Sequence, residues 1–137
     1  MSAQPQFING AKVTKLVGPE GVLEYVMDKL KRPTEWCQGA PARNADNKIR
    51  SIAEKDASSW SIDGALGCAA WHIKNHRADA IELADAFLMQ AIMDLSFLKF
   101  RDYFRYKTIM HFNDSEDTTH SDVVFVIRSA LEALGNH

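Results

Sequence analysis

The sequence predicts an all-α protein of about four helices around one central apolar helix, and three observations carry that prediction. Residues 78–104 (ADAIELADAFLMQAIMDLSFLKFRDYF) contain neither glycine nor proline, and Ala80, Leu83, Ala84, Phe87, Ala91, Leu95 and Leu98 recur at the spacing of a helix face. The other sides of this stretch are apolar too, through Ile81, Leu88, Met89, Ile92, Met93 and Phe97. A helix apolar nearly all round belongs inside a bundle or under a partner chain. Three further segments carry helical periodicity, against at most a few residues of strand signal. Asp79, Glu82, Asp85 and Asp94 interrupt the central stretch and exclude a membrane span, which needs an unbroken apolar run.

Residues 1–17 are expected to form an N-terminal arm or a small hairpin, and residues 18–137 a single helical domain. Asn9-Gly10 between Gln6–Ile8 and Ala11–Val13 is a two-residue hairpin signal on short flanks, so a hairpin and an irregular arm fit equally. Pro19 suits the first turn of a helix whose face is Val22, Leu23, Val26, Met27 and Leu30, and which Pro33 ends. Residues 34–52 are rich in turn formers and read as a long shaped loop. A second helix is expected from about Ala53–Asp56 to Asn75. Gly64, Ala65, Gly67, Cys68, Ala69 and Ala70 give it a small-sided surface that lets another backbone approach. After the central helix, Lys107–Phe112 reads as a short strand or extended lead-in. Thr119 then caps a last helix, with Asp122 completing a capping box and Gly135 stopping it.

The chain has 137 residues and 15.4 kDa, the size of one domain. A net charge of -2 gives no reason to expect a polyanion as main partner. Cys37 and Cys68 are too few for a disulfide scaffold. Residues 1–17 lack the charged-then-apolar pattern of a secretory leader, so a cytoplasmic location is expected.

Three local patterns point to one family. They are Trp36-Cys37-Gln38-Gly39-Ala40 with Ala42-Arg43; Trp60-Ser61-Ile62-Asp63-Gly64-Ala65-Leu66; and Phe112-Asn113-Asp114 leading to Thr119-His120-Ser121-Asp122-Val123. Together, over roughly residues 18–134, they resemble an uncharacterised family of short bacterial and bacteriophage proteins. Ser61 stands where that family's second motif usually carries cysteine, which weakens any chemistry needing two thiols there. The resemblance implies a helical fold and a bacterial or phage context (the host cytoplasm, if phage-encoded), and no reaction.

Several constellations could carry chemistry. Cys37 as nucleophile, His120 as base and Asp122 as orienter would suit a small cysteine-dependent enzyme. Against it, Asp122 is already explained as a cap, and His120 falls in line with the core-facing Val124, Ile127 and Leu131. Cys68 and His72 share a helix face at a spacing suited to zinc, with Cys37 and His120 or His111 as completing ligands. No C-x-x-C or H-x-x-x-H pair supports this, and Cys68 sits among small apolar residues where free cysteine packs. Lys99–Lys107 (KFRDYFRYK) interleaves cations with aromatics, a pattern that binds single-stranded nucleic acid. The simpler reading pairs these cations with Asp114, Glu116 and Asp117 and lays their stems over the rings. Trp36, Trp60 and Trp71 are core anchors or platforms for a planar ligand. The Trp-Cys loop, the small-sided helix and the last helix N-terminus converge on a ligand-binding set of Trp36, Cys37, Asn113, Asp114, Thr119 and His120.

The expectation is therefore an accessory protein that binds a partner or small polar ligand, without cofactor, metal or membrane contact. The enzyme and the nucleic-acid binder are the alternatives. A homodimer or higher homo-oligomer is expected on the C-terminal half of the central helix, since three short helices cannot cover it.

Overall fold

The structure, a computed structural model, describes residues 6–8, 11–13 and 15–136, with side chains from residue 15 onward. Strands β1 (Gln6–Ile8) and β2 (Ala11–Val13) pair antiparallel, Phe7 opposite Lys12; the expected Asn9-Gly10 turn lies outside the described residues. Helix α1 (Pro19–Leu30) begins on its proline and buries Val22, Leu23, Val26 and Leu30 completely. Pro33 then opens a short 3-10 turn, Pro33–Glu35.

The next segment departs from expectation. In place of one loop and an early helix, residues 42–60 build a small antiparallel sheet. Its central strand β3 (Ala42–Asn44) lies between β4 (Ile49–Arg50) and β5 (Ala57–Trp60). The turn before β4 is tied by Asn44, whose Oδ1 accepts from the Asp46 and Lys48 amides at 3.0 and 2.9 Å, with Asn47 at φ +64°. Consequently helix α2 spans only Ile62–His72. Ser61 caps it by accepting the Gly64 amide at 2.9 Å, and Ser58 and Ser59, poor helix formers, stay in the strand. The small-sided surface of α2 does admit a backbone: a Cβ on Gly64 would lie 2.0 Å from the Pro41 carbonyl oxygen.

Helix α3 (Ala80–Phe100) has 21 residues, about 31 Å at 1.5 Å per residue. It stops short of the expected Phe104 because Arg101 takes the left-handed conformation at φ +59°. Ser96 Oγ donates to the Asp102 carbonyl, and Phe97 stacks on Tyr103 with centroids 4.4 Å apart, so the chain folds back over the helix end. Helix α4 (Ile109–Asp114) occupies the segment read as strand or lead-in; Thr108 caps it by accepting the His111 amide at 2.9 Å. Helix α5 (His120–Gly135) carries the expected capping box of Thr119 and Asp122.

These helices form an all-α bundle in which α3 packs on α5, α1 on α2, α3 and α5, and α4 on α2 and α3. The buried face of α3 is Ala80, Ala84, Leu88, Ala91, Ile92, Leu95 and Ser96, rotated from the expected stripe. Three of these are alanines, whose small size lets neighbouring helices approach. Leu98, expected on that stripe, is 62% exposed.

Candidate functional site

The sheet, α2 and α4 meet at one side chain. Asn113, fully buried at the end of α4, uses all four of its hydrogen-bonding positions. Its Oδ1 accepts from Trp36 Nε1 at 2.8 Å and from the Ile62 amide at 3.0 Å. Its Nδ2 donates to the Cys37 carbonyl at 3.1 Å and to Asp114 Oδ1 at 2.9 Å. Gln38 Nε2 adds bonds to the carbonyls of Asn113 and Ser115, both at 2.9 Å. Gly39, at φ +77°, donates its amide to Asp114 Oδ1 at 2.9 Å. The Trp-Cys-Gln-Gly loop, the start of the Ile62 helix and the Asn-Asp pair are therefore one latch. Sequence reasoning brought Trp36, Cys37, Asn113 and Asp114 together but missed Gln38, whose type gave no signal.

Thr119 and His120 lie to one side of this latch. Thr119 acts as a helix cap. His120 Nε2 donates to the Leu30 carbonyl at 2.6 Å, closing the C-terminal end of α1, and its ring lies 6.2 Å from Trp36. A carbonyl only accepts, so Nε2 carries the proton. Cys37 is buried, its thiol directed to the Ala40 carbonyl at 3.7 Å, and burial pushes the thiol up from its ordinary range. Asp122 binds the Thr119 amide at 3.1 Å and Lys99 at 2.8 Å. Each member of the candidate Cys-His-Asp set thus has another partner, and no hydrogen bond joins any two of them.

The candidate zinc ligands are not assembled either. Cys68 is buried with its thiol toward the Ile52 carbonyl at 3.9 Å, while His72 is exposed and stacks on Tyr25 at 6.3 Å. His111 accepts the Lys107 amide on Nδ1 at 3.1 Å. Among the described residues no group of three or more His, Cys, Asp or Glu side chains could hold a metal ion.

The basic-aromatic segment turns largely inward on itself. Arg105 pairs with Asp117 at 2.5 Å and lies 4.0 Å from the Phe100 centroid; Arg101 lies 5.4 Å from Phe97. Lys99 is held by Asp122 and by the Asp117 carbonyl at 2.9 Å. Asp117 also accepts from Tyr106 and from Ser115 Oγ at 2.7 Å, and these donors hold its carboxyl down to about 2. At the tip Phe104 projects furthest outward, 75% exposed, beside the partly exposed Tyr103.

Two clefts flank strand β5. The polar one, ≈ 660 Å³, has Glu35, Trp36, Cys37, Arg43 and Ser59 on its walls. Among the described residues Arg43 donates only to backbone carbonyls, to Gln38 at 3.1 and 3.2 Å and to Asn47 at 3.0 Å. The apolar one, ≈ 540 Å³, lies between α2 and residues 52–57 and is lined by Ile52, Ala53, Ala57, Gly67, Ala70 and the rings of Trp60 and Trp71. Trp71 is 64% exposed on its wall, and Cys68 lies at its floor, where burial raises the thiol while the Lys29 charge lowers it. Lys29 Nζ sits 3.7 Å from the Trp60 ring centroid. The sequence left Trp60 and Trp71 open between core anchors and platforms for a planar ligand, and gave no sign that Lys29 lies beside them.

The fold and its latch define a helical bundle carrying a small sheet as a side wall, with a cleft on each side of the last strand. The chain belongs to a family of unknown function (DUF6197), whose model matches residues 15–133. No curated protein and no solved structure matches it.

Proposed function

We propose that this is a small bacterial or phage accessory protein that acts by binding, through the apolar cleft between α2 and residues 52–57. The observation that carries this reading is the cleft itself. At ≈ 540 Å³ it has the size of a small-molecule site, and Trp71 stands 64% exposed on its wall. An exposed indole beside glycine and alanine gives a flat apolar surface that a ligand would cover. Cys37 catalysis has no comparable support, since its thiol is buried and raised and His120 is committed to Leu30. The test follows the three indole N–H signals in 1H–15N spectra while naphthalene-2-carboxamide is added. Trp60 and Trp71 should shift and Trp36 should not, and Trp71→Ala should remove the binding. Absence of any shift at millimolar probe would reject the reading.

A second reading places a small polar ligand in the other cleft, beside Trp36 and Cys37 of the expected set. It is favoured by Arg43, a half-buried cation that among the described residues meets carbonyls and no carboxylate. Probe shifts confined to Trp36, lost in Arg43→Gln, would select it. Of the rest of that set, Asn113 has no free hydrogen-bonding position, and Thr119 and His120 serve as caps. We also propose a homodimer on the end of α3, where Leu98, Tyr103 and Phe104 are exposed between Lys99, Arg101 and Arg105. Among the described residues no helix is long and apolar enough to cross a membrane.

A further inference from the structure

The outer surface shared by α3 and α5 carries large apolar side chains at one end and open space at the other. The two helices run antiparallel: Lys99, near the end of α3, pairs with Asp122 at the start of α5, and Ala86 lines one groove with Ala133. At the first end Leu98 and Phe125 are 62% and 46% exposed. At the other lies that groove, ≈ 280 Å³, with the small side chains of Ala86, Ser129 and Ala133 on its walls. A cavity of about 150 Å³ is already enough to hold benzene. A face that carries both knobs and holes can meet a second copy of itself across a two-fold axis.

The spacing gives the register. On α5, Phe125 and Ala133 each stand four residues from Ser129, about 6 Å along the axis. On α3, Leu98 and Ala86 each stand six residues from Ile92, which is level with Ser129 because Gln90, Ala91 and Asp94 line the groove with it. A two-fold axis at that level, perpendicular to both helices, lays Phe125 over Ala133 of the second copy and Leu98 over its Ala86. Charge agrees with this register. Arg128 and Glu132 are exposed on α5, and among the described residues neither has an ion pair. The axis brings Arg128 of each copy beside Glu132 of the other. Glu82 and Arg101, at opposite ends of α3, also have no ion pair among the described residues, and the same axis sets them against each other. Asp94, held within the chain by Gln90 at 3.1 Å, meets the second N–H of Gln90 from the second copy. Resting on the reading of a homodimer at this end of α3, we infer that the dimer is an antiparallel pairing of two α3–α5 faces about Ser129, anchored by Phe125 and Leu98.

The experiment uses the full chain. Ser129→Cys places a thiol on the axis, facing its own copy, whereas Cys37 and Cys68 are buried. Oxidation with diamide at micromolar concentration should link this variant into a species of twice the 15.4 kDa chain mass and leave the wild-type chain unlinked. Ser121→Cys, about 24 Å from its copy along the axis, is the control and should stay unlinked. In light scattering, Arg128→Glu and Glu132→Arg should each shift the chain toward the single-chain mass. The double exchange, Arg128→Glu with Glu132→Arg, should restore the dimer, which a merely structural effect of either change would not do. A wild-type dimer in which Ser129→Cys stays unlinked, or in which the single exchanges change nothing or the double exchange fails to restore it, would overturn this pairing and leave the homodimer reading standing. A wild-type chain at 15.4 kDa would reject both.

Discussion

Asn113 has a short amide side chain with two donors and two acceptors, and in this fold all four are used, one of them on the exposed Asp114. Trp36 Nε1 and the Cys37 carbonyl come from one loop, and the Ile62 amide comes from the start of α2. Removing the amide therefore strands several buried polar groups at once, each costing about 1–3 kcal/mol. Asn113→Ala should lower the unfolding free energy by roughly 3 kcal/mol or more, read from urea denaturation. A loss below about 1 kcal/mol would mean that water replaces the amide and that the latch is open to solvent. The cysteine and histidine that first suggest chemistry behave differently. Cys37 is held at the latch by its backbone, and His120 ends a helix.

At the scale of elements, two junctions decide how helices meet. The first is the contact of α2 with Pro41, close enough that only glycine fits at position 64. Gly64→Ala should destabilise by at least about 2 kcal/mol, since the clash is with backbone and cannot be relieved by a rotamer change. Gly135, with nothing within 4 Å of a built Cβ, is the control: Gly135→Ala should leave stability unchanged or slightly raised. The second junction is the corner between α3 and α5, where Asp117 gathers Tyr106, Arg105 and Ser115. Its carboxyl lies at about 2, below the ordinary 3.8. A lowered native value means the stabilisation is complete above pH 3.8 and is lost as pH falls through about 2. Asp63 runs the other way, because burial and then Asp85 and Asp114 raise its carboxyl. Comparing wild type with Asp117→Asn isolates the first effect. The variant should be about 1–2 kcal/mol less stable at neutral pH, with the gap closing toward pH 2 in thermal melts. A gap that is constant with pH would assign the loss to packing instead of charge.

At the scale of the molecule, the fold-back at Arg101 hides part of the apolar end of α3 and leaves part open. Phe97 is covered by Tyr103 and Phe100 by Tyr106, whereas Leu98 and Phe104 face outward. Two exposed large side chains beside Tyr103, rimmed by cations, form a patch that a two-fold copy of itself could cover. The proposed dimer should appear in light scattering at micromolar concentration as twice the 15.4 kDa chain mass. Phe104→Asp should return it to the single-chain mass. A wild-type chain already at 15.4 kDa would show that the fold-back hides enough.

The sequence by itself determined what local periodicity and capping chemistry encode: α1 from its proline, α5 from its capping box, the apolar α3, and an all-α class. It also brought Trp36, Cys37, Asn113 and Asp114 to one place through their motifs, and left Trp60 and Trp71 open between core anchors and platforms for a planar ligand. Only the tertiary structure decided the rest, because those features depend on partners distant in the chain. Residues Ala57–Trp60 are a strand because β3 offers them an edge, and nothing within four residues announces that. Residues 109–114 are a helix because Phe112 and Asn113 have buried places waiting between α2 and α3. Arg101 ends α3 through a backbone conformation that its side chain does not signal. Lys29 belongs to the candidate site only because α1 lies against α2, which brings its ammonium over Trp60, 31 residues further along the chain.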